Sequence, residues 1–562
     1  MSNLKSTLLS NSKIIPLVII AVAFLIRFVW ITSVPPSPYW EEVALGYDAY
    51  SILQTGRDHH GNFLPLIAFE SFGDFKPSLY FYSIVPFIAL FGLNVLAVRL
   101  PSVIFGTLIV WISGKLAHAF AEELFPDWKK KQLLLLQCVV MFFAAVSPWG
   151  IIFSRGGWES NLATVLVLTG VWLGFKSWRL STGNEFKLQF TSVSFRVFVF
   201  ATVFFCLSMY AYHGSRLTAP LLGVLFVFPY LIKWKKNLKQ ILILLFIGLI
   251  LLSPFLFALG SNELSQRFNE TSIFSDISVI EESNQRIQED GGGIVARIIH
   301  HRYLLFLQQI MNNAVSHFDL GFLFLHGDVN PRHSTQYFGH LLHLSFFPLI
   351  YGIYILFKQR KKRIILLLIG WTIAAILPAS LTTVVPHSLR ILAVSPLFFI
   401  VIGIGVAAGY YNLPSKFRWL VGVFMIFVTL EAFLFLFHYL RVYPVQYSSE
   451  WQYGYEEMIT QLNQTKRVGE PVFITREYGR PAMYYWFYTQ ADPRLVQAED
   501  QLVAQDQGEY LAFQNIRFVD VISSFETGLF ASTLQKYEEV GGEKVSEVKD
   551  LAGKTVWVIY RR

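Results

Sequence analysis

Two adjacent carboxylates and a nearby lysine are the residues of this chain best suited to chemistry. Glu41 and Glu42 follow a single apolar segment, and Asp74 and Lys76 lie further along the same polar stretch. A carboxylate at the edge of a low-dielectric region can accept a proton, and a lysine can bind a phosphate. The structural alternative is that the glutamates precede a helix N-terminus, where carboxylates are favoured, and that Asp74 caps a second helix. Both interpretations are open at this point.

The composition indicates a membrane protein. Of 562 residues, 54% are hydrophobic and only 15% are charged, whereas soluble domains carry about 25% charged residues. The two cysteines, Cys138 and Cys206, lie in apolar segments, which argues against a disulfide framework. The net charge of +8 comes largely from short clusters between apolar segments and is not a nucleic-acid signature, so the expected surroundings are membrane lipids.

The apolar segments predict a polytopic α-helical membrane protein with about eleven transmembrane helices. The first segment lacks a clear cleavage site and is expected to be retained as a helix. The predicted spans are 14–34, 94–119, 132–149, 159–177, 197–213, 217–232, 240–258, 340–357, 364–381, 391–410 and 418–439.

Basic residues predict the orientation of these spans. One set of loops carries Lys and Arg clusters, whereas the short loops of the other set hold isolated arginines. Because positive loops stay inside, we expect a multi-pass protein of the cell membrane with a cytoplasmic N-terminus and an extracytoplasmic C-terminus. The clusters include Lys129–Lys131, Lys233–Lys239, Lys358–Arg363 and Lys416–Arg418, and the isolated residues are Arg155, Arg216 and Arg390.

The predicted orientation places the polar segments outside. Residues 1–441 form the expected transmembrane domain, with outer loops 35–93 and 259–339, and residues 442–562 form a small extracytoplasmic α/β domain. In the first outer loop, 43–55 and 77–91 predict helices, the second lying in the membrane interface. In the tail, 471–475 and 555–560 predict strands.

Further candidates lie at the predicted outer ends of spans. Arg155 and Glu159 could pair with each other or line a site. Tyr212, His213 and Arg216, and likewise His387 and Arg390, could bind a phosphate or form an aromatic belt with snorkelling arginines. Since Lys76, Arg216 and Arg390 all lie beside apolar spans on one side, a single anionic ligand is favoured.

Metal and nucleotide chemistry have weaker support. His59-His60 lacks a third ligand at a recognised spacing. The segment Gly327–His333 has turn composition and could contribute Arg332 and His333 to a site. No P-loop or dinucleotide fingerprint is present in the sequence. We therefore assign no residue to a metal and no cofactor, and leave a divalent cation open.

The first loop carries motifs that resemble those of the GT-C superfamily of polyprenyl-phosphate-sugar-dependent glycosyltransferases. The nearer likeness is to the branch of protein O-mannosyltransferases and lipid A aminoarabinose transferases in bacteria or archaea. That family usually has Asp-Glu where this chain has Glu41-Glu42. The resemblance covers most of residues 1–440, and its motifs are Gly46–Tyr50, Thr55–Gly61, Phe72–Tyr80, Val98–Ser102, Ser154–Arg155 with Glu159, Tyr212–Arg216 and Pro386–Arg390.

The resemblance implies a reaction. A sugar carried on a polyprenyl monophosphate would be transferred to a hydroxyl of a protein, lipid or glycan of the cell envelope, usually with inversion. Glu41 would be the general base, with Glu42 and Asp58 as alternatives. The implied substrate- and phosphate-binding residues are Asp58, Asp74, Lys76, Arg155, Glu159, Tyr212, His213, Arg216, His387 and Arg390.

The rival interpretations use similar residues. A lipid-linked-sugar flippase would also bind a carrier phosphate, but transporters place ionisable residues near the bilayer midplane. Here the middles of the predicted spans are nearly free of charge. A polymerase or ligase acting on longer lipid-linked chains would have a similar phosphate site, whereas a receptor-like protein would leave the acidic pair unexplained.

Overall fold

The structure, a computed structural model, describes residues 14–181, 192–500, 505–506, 508–522 and 526–562. Residues 1–13, which include the N-terminus whose side of the membrane was predicted, lie outside that part. Helices dominate the described residues, and strands occur in the first predicted outer loop and in the C-terminal tail.

Each of the eleven predicted apolar segments contains a helix, as expected for runs in which every backbone polar group must be satisfied internally. These helices are Ile14–Phe28, Val95–Leu124, Lys130–Val146, Glu159–Leu180, Val193–Met209, Ser215–Ile232, Trp234–Leu251, Phe346–Gln359, Lys362–Ser380, Ser395–Asn412 and Trp419–Phe437.

Length and composition qualify five helical stretches of the described residues for crossing a bilayer. They are Val95–Leu124, Ser215–Ile232, Lys362–Ser380, Leu392–Asn412 and Ser415–Gln446. The membrane character of the protein follows from these helices, while the number of crossings stays a prediction.

Further helices occupy the segments between the apolar ones and the tail. Both helices predicted in the first outer loop are present, as Trp40–Thr55 and Leu79–Phe91. The second predicted outer loop is largely helical. The remaining α-helices are Pro148–Phe153, Ser253–Phe257, Asn262–Thr271, Ile277–Glu289, Ile294–Ile299, Arg302–Ser316, Tyr443–Gln446, Tyr455–Thr465, Pro481–Thr489, Pro493–Asp500 and Leu534–Val540.

The chain divides into two compact units that interleave along the sequence. The first unit contains the described residues up to Ile26 together with those of Phe105–Phe153 and Glu159–Phe433. The second contains Arg27–Ile104, Ser154–Trp158 and Leu434–Arg562, so it combines the first predicted outer loop with the tail. The predicted division into residues 1–441 and 442–562 stays a prediction.

Glycines allow two helices of the first unit to pack closely. A Cβ added at Gly405, in Ser395–Asn412, would overlap the carbonyl oxygen of Pro348. One added at Gly352, in Phe346–Gln359, would overlap the carbonyl oxygen of Val401. Small residues permit such close backbone approach between apolar helices, where the packing contacts stabilise the pair.

A short hairpin in the second unit holds Lys76. Strands β1 (Ala68–Ser71) and β2 (Asp74–Pro77) pair antiparallel, with Phe69 opposite Lys76. The two turn residues between them, Phe72 and Gly73, have φ values of 58° and 72°. Positive φ at both central positions is the geometry of a type I′ turn, which matches the twist of the flanking strands.

The tail contains a six-stranded mixed sheet. Its strands are β3 (Val472–Thr475), β6 (Ala512–Phe513), β7 (Ile516–Val519), β8 (Leu529–Ser532), β9 (Glu543–Lys549) and β10 (Thr555–Arg561), in the spatial order β6-β7-β3-β8-β10-β9. β3 is parallel to β7 and β8, and β10 is antiparallel to β8 and β9. β4 (Gln505–Asp506) and β5 (Glu509–Tyr510) form a separate antiparallel pair.

The close helix packing in the first unit predicts a contrast between two glycine substitutions. We expect Gly405→Ala to lower the free energy of unfolding by about 1–3 kcal/mol, because the new methyl group would force the backbones apart. Gly422→Ala is the control, since its Cβ would meet no atom within 4 Å in a helix of similar apolar character. Thermal unfolding of the purified protein in detergent measures both, and equal midpoints would contradict the packing argument.

Candidate active site

The acidic pair lies in the first turn of the helix Trp40–Thr55. The Glu42 carboxylate accepts the backbone N–H of Tyr39 at 3.1 Å and so caps the helix N-terminus. The helix ends at Gly56, whose φ of 70° suits glycine and whose N–H donates to the carbonyl of Ile52. Because successive helical residues point about 100° apart, Glu41 and Glu42 face different surroundings.

Glu42 is buried in an ion pair. Its side chain contacts the guanidinium of Arg99 at 2.8 Å and 2.9 Å, and accepts the backbone N–H of Gly157 at 2.8 Å. Arg99 is fully buried and also donates to three backbone carbonyls, those of Ile31, Pro35 and Ser37. All five N–H donors of Arg99 are therefore used. Glu42, through Arg99 and the N–H of Gly157, stabilises the surrounding backbone.

Arg155 has a similar environment. Its side chain is fully buried and donates to backbone carbonyls of the segment that follows the first helix, those of Arg27, Val29 and Val34. Burying an arginine requires that its donors be satisfied in this way. We infer that Arg155 fixes this segment and does not present its charge to a ligand.

Glu41 has the opposite environment to Glu42. Its side chain is 32% exposed, and its Oε1 lies 2.8 Å from the Nζ of Lys76, a side chain that is only 10% exposed. The hairpin places Lys76 beside the helix N-terminus, so the two charges meet across two secondary-structure elements. A partly exposed ion pair of this kind can be separated by a competing ligand at modest cost.

The other loop-one carboxylates make local contacts. Asp58 is fully buried and accepts both the backbone and side-chain N–H groups of Asn62. Burial, followed by the charge of Asp48, raises the pKa of Asp58, while its contacts with Asn62 oppose that rise. Asp74 accepts the N–H of Phe75 in the hairpin. Among Glu41, Glu42 and Asp58, therefore, Glu41 alone has a substantially exposed carboxylate.

A second cation lies near Glu41 in the same unit. The Arg480 guanidinium lies 5.6 Å from the ring centroid of Trp40 and 4.4 Å from that of Phe72, and it pairs with Glu509 at 3.2 Å. Burial lowers the pKa of Arg480, while the charges of Glu509 and Glu41 oppose that effect. An arginine held against two aromatic rings is preorganised to bind an anion.

The first unit holds the remaining predicted residues. Tyr212 and Arg390 line one small cavity together with Ser160, Thr164 and Thr218. Arg390 donates to the hydroxyl of Thr382. The other members are not among the lining residues: Glu159 is buried in the first turn of its helix, Arg216 lies over the ring of Phe255, and His213 lies in the turn before Ser215–Ile232.

His387 belongs to a different cluster of the first unit. Its Nδ1 lies 4.0 Å from Asp328 Oδ2, and His333 contacts the same oxygen at 3.2 Å. The sequence pattern groups His387 with Arg390 as a phosphate ligand and offers His333 as a site residue, but it gives no role to Asp328. The two histidines are far apart in sequence, so spacing could not show that they meet.

Sequence reasoning placed Arg99 in the motif Val98–Ser102 without giving it a role, and it missed Arg480. A signal for Arg99 exists, because a charged residue within the apolar run Val98-Arg-Leu100 demands a buried partner. Arg480 carries no comparable signal, since its partners in the first outer loop and the tail are distant in sequence.

The fold and these sites define a largely helical membrane protein with charged side chains near helix ends. No protein-family model matches the sequence, and no curated protein matches it.

Solved structures do show the same fold. ArnT from Cupriavidus metallidurans bound to undecaprenyl phosphate aligns with a TM-score of 0.52 and 14% identity, covering 97% of each chain. Its apo form aligns with a TM-score of 0.52 and 13% identity over the same shares. The oligosaccharyltransferase AglB from Archaeoglobus fulgidus, in complex with an inhibitory peptide and a dolichol-phosphate, has a TM-score of 0.50 and 11% identity, covering 85% of this chain and 63% of its own.

ArnT is thus bound to undecaprenyl phosphate in one of these structures, and the oligosaccharyltransferase AglB is bound to a dolichol-phosphate. The fold that the loop-one resemblance predicts is thus confirmed. At these identities the alignment carries no residue roles, and the roles of the site residues stay proposals.

The buried Glu42–Arg99 pair predicts a large stability effect. We expect Arg99→Met to lower the free energy of unfolding by about 3–5 kcal/mol, because it leaves a buried carboxylate and several carbonyls without their donor. Arg57→Met is the control, since Arg57 is exposed and donates to the carbonyl of Gly61. Thermal unfolding in detergent should separate them clearly. Similar unfolding midpoints for the two variants would show that the Glu42–Arg99 pair does not stabilise the fold.

The contact between His60 and Asp500 predicts a pH dependence within the second unit. His60 Nδ1 lies 2.7 Å from Asp500 Oδ1. Burial alone would lower the pKa of His60, but the hydrogen bond and charge of Asp500 outweigh it, so the pKa is raised. A raised pKa in the folded state means that the stabilisation is full below about pH 6.5, the unfolded value, and is lost as pH rises through the folded value.

We therefore expect His60→Gln to destabilise the protein more at pH 6 than at pH 8.5. Thermal unfolding of wild type and variant across that range is the measurement. In an Asp500→Asn background, the destabilisation caused by His60→Gln should depend much less on pH, because the carboxylate that raises the pKa of His60 is absent. A His60→Gln effect that grows with pH would contradict the assigned sign.

Proposed function

We propose that this protein is a membrane glycosyltransferase. It moves a sugar from a polyprenyl-monophosphate carrier to a hydroxyl acceptor at the outer face of the membrane, with Glu41 as general base. The shared GT-C fold and the loop-one motifs support the class of reaction. The proposal includes the predicted orientation, with the N-terminus in the cytoplasm and the tail outside.

The observation that carries the choice of base is the different environment of the two neighbouring glutamates. The Glu42 side chain is 4% exposed and is held by Arg99, whereas the Glu41 side chain is 32% exposed. A general base must come within hydrogen-bond reach of the proton that it removes. The partly exposed carboxylate of Glu41 can be approached by an acceptor hydroxyl, and Glu42 is proposed to orient the helix that carries it.

The proposed step balances as an inverting displacement. The acceptor hydroxyl gives its proton to the Glu41 carboxylate, and its oxygen forms a bond to the anomeric carbon. The bond between that carbon and the carrier phosphate breaks, and the phosphate leaves with the bonding electron pair. Positive groups placed where this charge develops stabilise the transition state. Lys76 and Arg480 are the cations that the second unit offers near Glu41.

The ion pair between Glu41 and Lys76 suggests an order of events. While Lys76 contacts the carboxylate, Glu41 is a weak base, because a neighbouring positive charge favours its ionised form. A donor phosphate competes for Lys76 and weakens that contact. The carboxylate then becomes more basic when the donor is present. Carrier binding thus prepares the base for the acceptor.

The first unit supplies the other proposed phosphate ligands. Tyr212, His213, Arg216 and Arg390 are assigned to carrier binding through the resemblance, as is Glu159. The cavity lined by Tyr212 and Arg390 is the structural observation that supports this part. The transfer assay with different donors and acceptors is designed to identify the sugar and the acceptor. The same assay tests whether the tail binds the acceptor.

The assignment predicts that Glu41→Gln loses sugar transfer but retains donor binding. Removing a general base lowers the rate by about 10²–10⁴-fold, while the amide leaves Lys76 free to bind phosphate. Proteoliposomes with a panel of radiolabelled polyprenyl-phosphate sugars and membrane-extract acceptors provide the assay. Glu456→Gln is the matched control, because Glu456 is an exposed glutamate in the first turn of another helix of the same unit.

The same assay separates the rival interpretations. Full activity in Glu41→Gln would remove Glu41 as the base. If no donor supports transfer but the carrier moves between leaflets, the transferase interpretation is wrong and the protein is a flippase. Lys76→Gln should lower kcat/KM for the donor, as expected for loss of a cation that holds the phosphate both in the bound donor and in the transition state.

A further inference from the structure

Three side chains of the first unit converge outside the proposed transferase site. Asp328, His333 and His387 each place a ligand-type atom within 4.8 Å of the others. Asp328 and His333 belong to the turn that precedes Phe346–Gln359, and His387 precedes Ser395–Asn412. Asp328 is 4% exposed and His333 5%, so the cluster is largely shielded from solvent.

The turn that carries Asp328 is held by its own hydrogen bonds. Asp328 Oδ1 accepts the N–H of Asn330 at 2.9 Å, which forms an Asx-type turn. The Ser334 hydroxyl is close to the carbonyls of His326 and Asp328, at 3.0 Å and 2.9 Å. The carboxylate is therefore fixed in position before any ligand binds.

The remaining Asp328 oxygen is oriented toward the histidines. Oδ2 accepts both the backbone N–H and the hydroxyl of Ser388, at 2.8 Å and 2.7 Å. The N–H of His387 in turn donates to the Nε2 of His317 at 3.3 Å. Hydrogen bonds to a carboxylate and to the backbone of a neighbouring ligand are the outer contacts that metal sites use to orient their ligands.

The cluster is poorly satisfied as a purely hydrogen-bonded one. His387 Nδ1 is buried, and the described residues offer it no hydrogen-bond partner. Its 4.0 Å separation from Asp328 Oδ2 is too long for a hydrogen bond. His340, which interacts electrostatically with Asp328 and His333, is fully buried, and neither of its ring nitrogens has a hydrogen-bond partner in the described part of the chain. Such unsatisfied groups are costly in a folded protein.

We propose that Asp328, His333 and His387 bind one divalent transition-metal ion of the zinc class. With bonds of about 2.0–2.1 Å, tetrahedral nitrogen and oxygen ligands lie about 3.3 Å apart. The 3.2 Å between His333 Nδ1 and Asp328 Oδ2 already matches this spacing, and His387 would approach by less than about 1 Å. Two imidazoles and a carboxylate leave a fourth position for water or another ligand.

The ion would join two distant parts of the first unit. It would fix the turn around Asp328 to the segment that contains His387 and Ser388. That segment leads directly into Leu389 and Arg390, which line the cavity with Tyr212. The metal is thus proposed as a support for this cavity wall. The proposal does not depend on the transferase reaction.

Cobalt binding to the full-length protein tests the inference. The chelator-treated protein, purified in detergent through a tag without histidines, is titrated with Co²⁺ and followed by visible absorption. We expect one Co²⁺ per chain, an absorption spectrum typical of nitrogen and oxygen ligands, and displacement by Zn²⁺. His333→Gln and His387→Gln should each weaken Co²⁺ binding at least about tenfold.

The control is His343→Gln, since His343 also contacts a carboxylate, Glu431 at 2.7 Å, in the same unit. It should bind Co²⁺ like the wild type. If the ligand variants fail to fold, the wild-type protein still tests the proposal. Its unfolding temperature should rise with Zn²⁺ concentration until the site is saturated. No saturable Co²⁺ absorption by the wild type, or equal binding by all variants, would overturn the proposal and leave a hydrogen-bonded cluster.

Discussion

The second unit depends on one buried ion pair, that between Glu42 and Arg99. Irregular backbone between the first apolar helix and Trp40–Thr55 leaves carbonyl groups that must be satisfied away from water. Arg99 satisfies three of them while it also binds the carboxylate of Glu42. Since a buried charge is tolerated only when paired and fully hydrogen-bonded, each partner requires the other. The pair therefore fixes the start of the helix that carries Glu41.

The same principle explains Arg155, and together the two arginines set the site geometry. Both are fully buried and both use backbone carbonyls as acceptors. Arginine suits this task better than lysine, because its planar group offers five donors and keeps its charge. Once Glu42 is held inward, the helical rotation of about 100° per residue directs Glu41 elsewhere, toward Lys76. The unlike environments of two like residues thus follow from one interaction.

The sequence predicted the helices well and the site in part. The apolar runs fixed where helices form, because hydrophobic length is a local property. The short hairpin of β1 and β2 was missed, since four-residue strands carry little pattern. The choice between Glu41 and Glu42 could not be made from sequence, because it depends on Arg99, 57 residues away. Arg480 and the contact of Asp328 with Ser388, 60 residues apart, were invisible for the same reason.

The resembling family usually has aspartate where this chain has Glu41. The hairpin explains why the longer side chain matters, because it places Lys76 within reach of the Glu41 carboxylate. The extra methylene extends the carboxylate from the helix, and its oxygen reaches Lys76 at 2.8 Å. In the proposed mechanism, that contact keeps the base weak until a phosphate competes for the lysine. The base is then strengthened only when the carrier phosphate is bound. Pairing the base with a phosphate-binding lysine therefore couples proton abstraction to occupancy by the carrier.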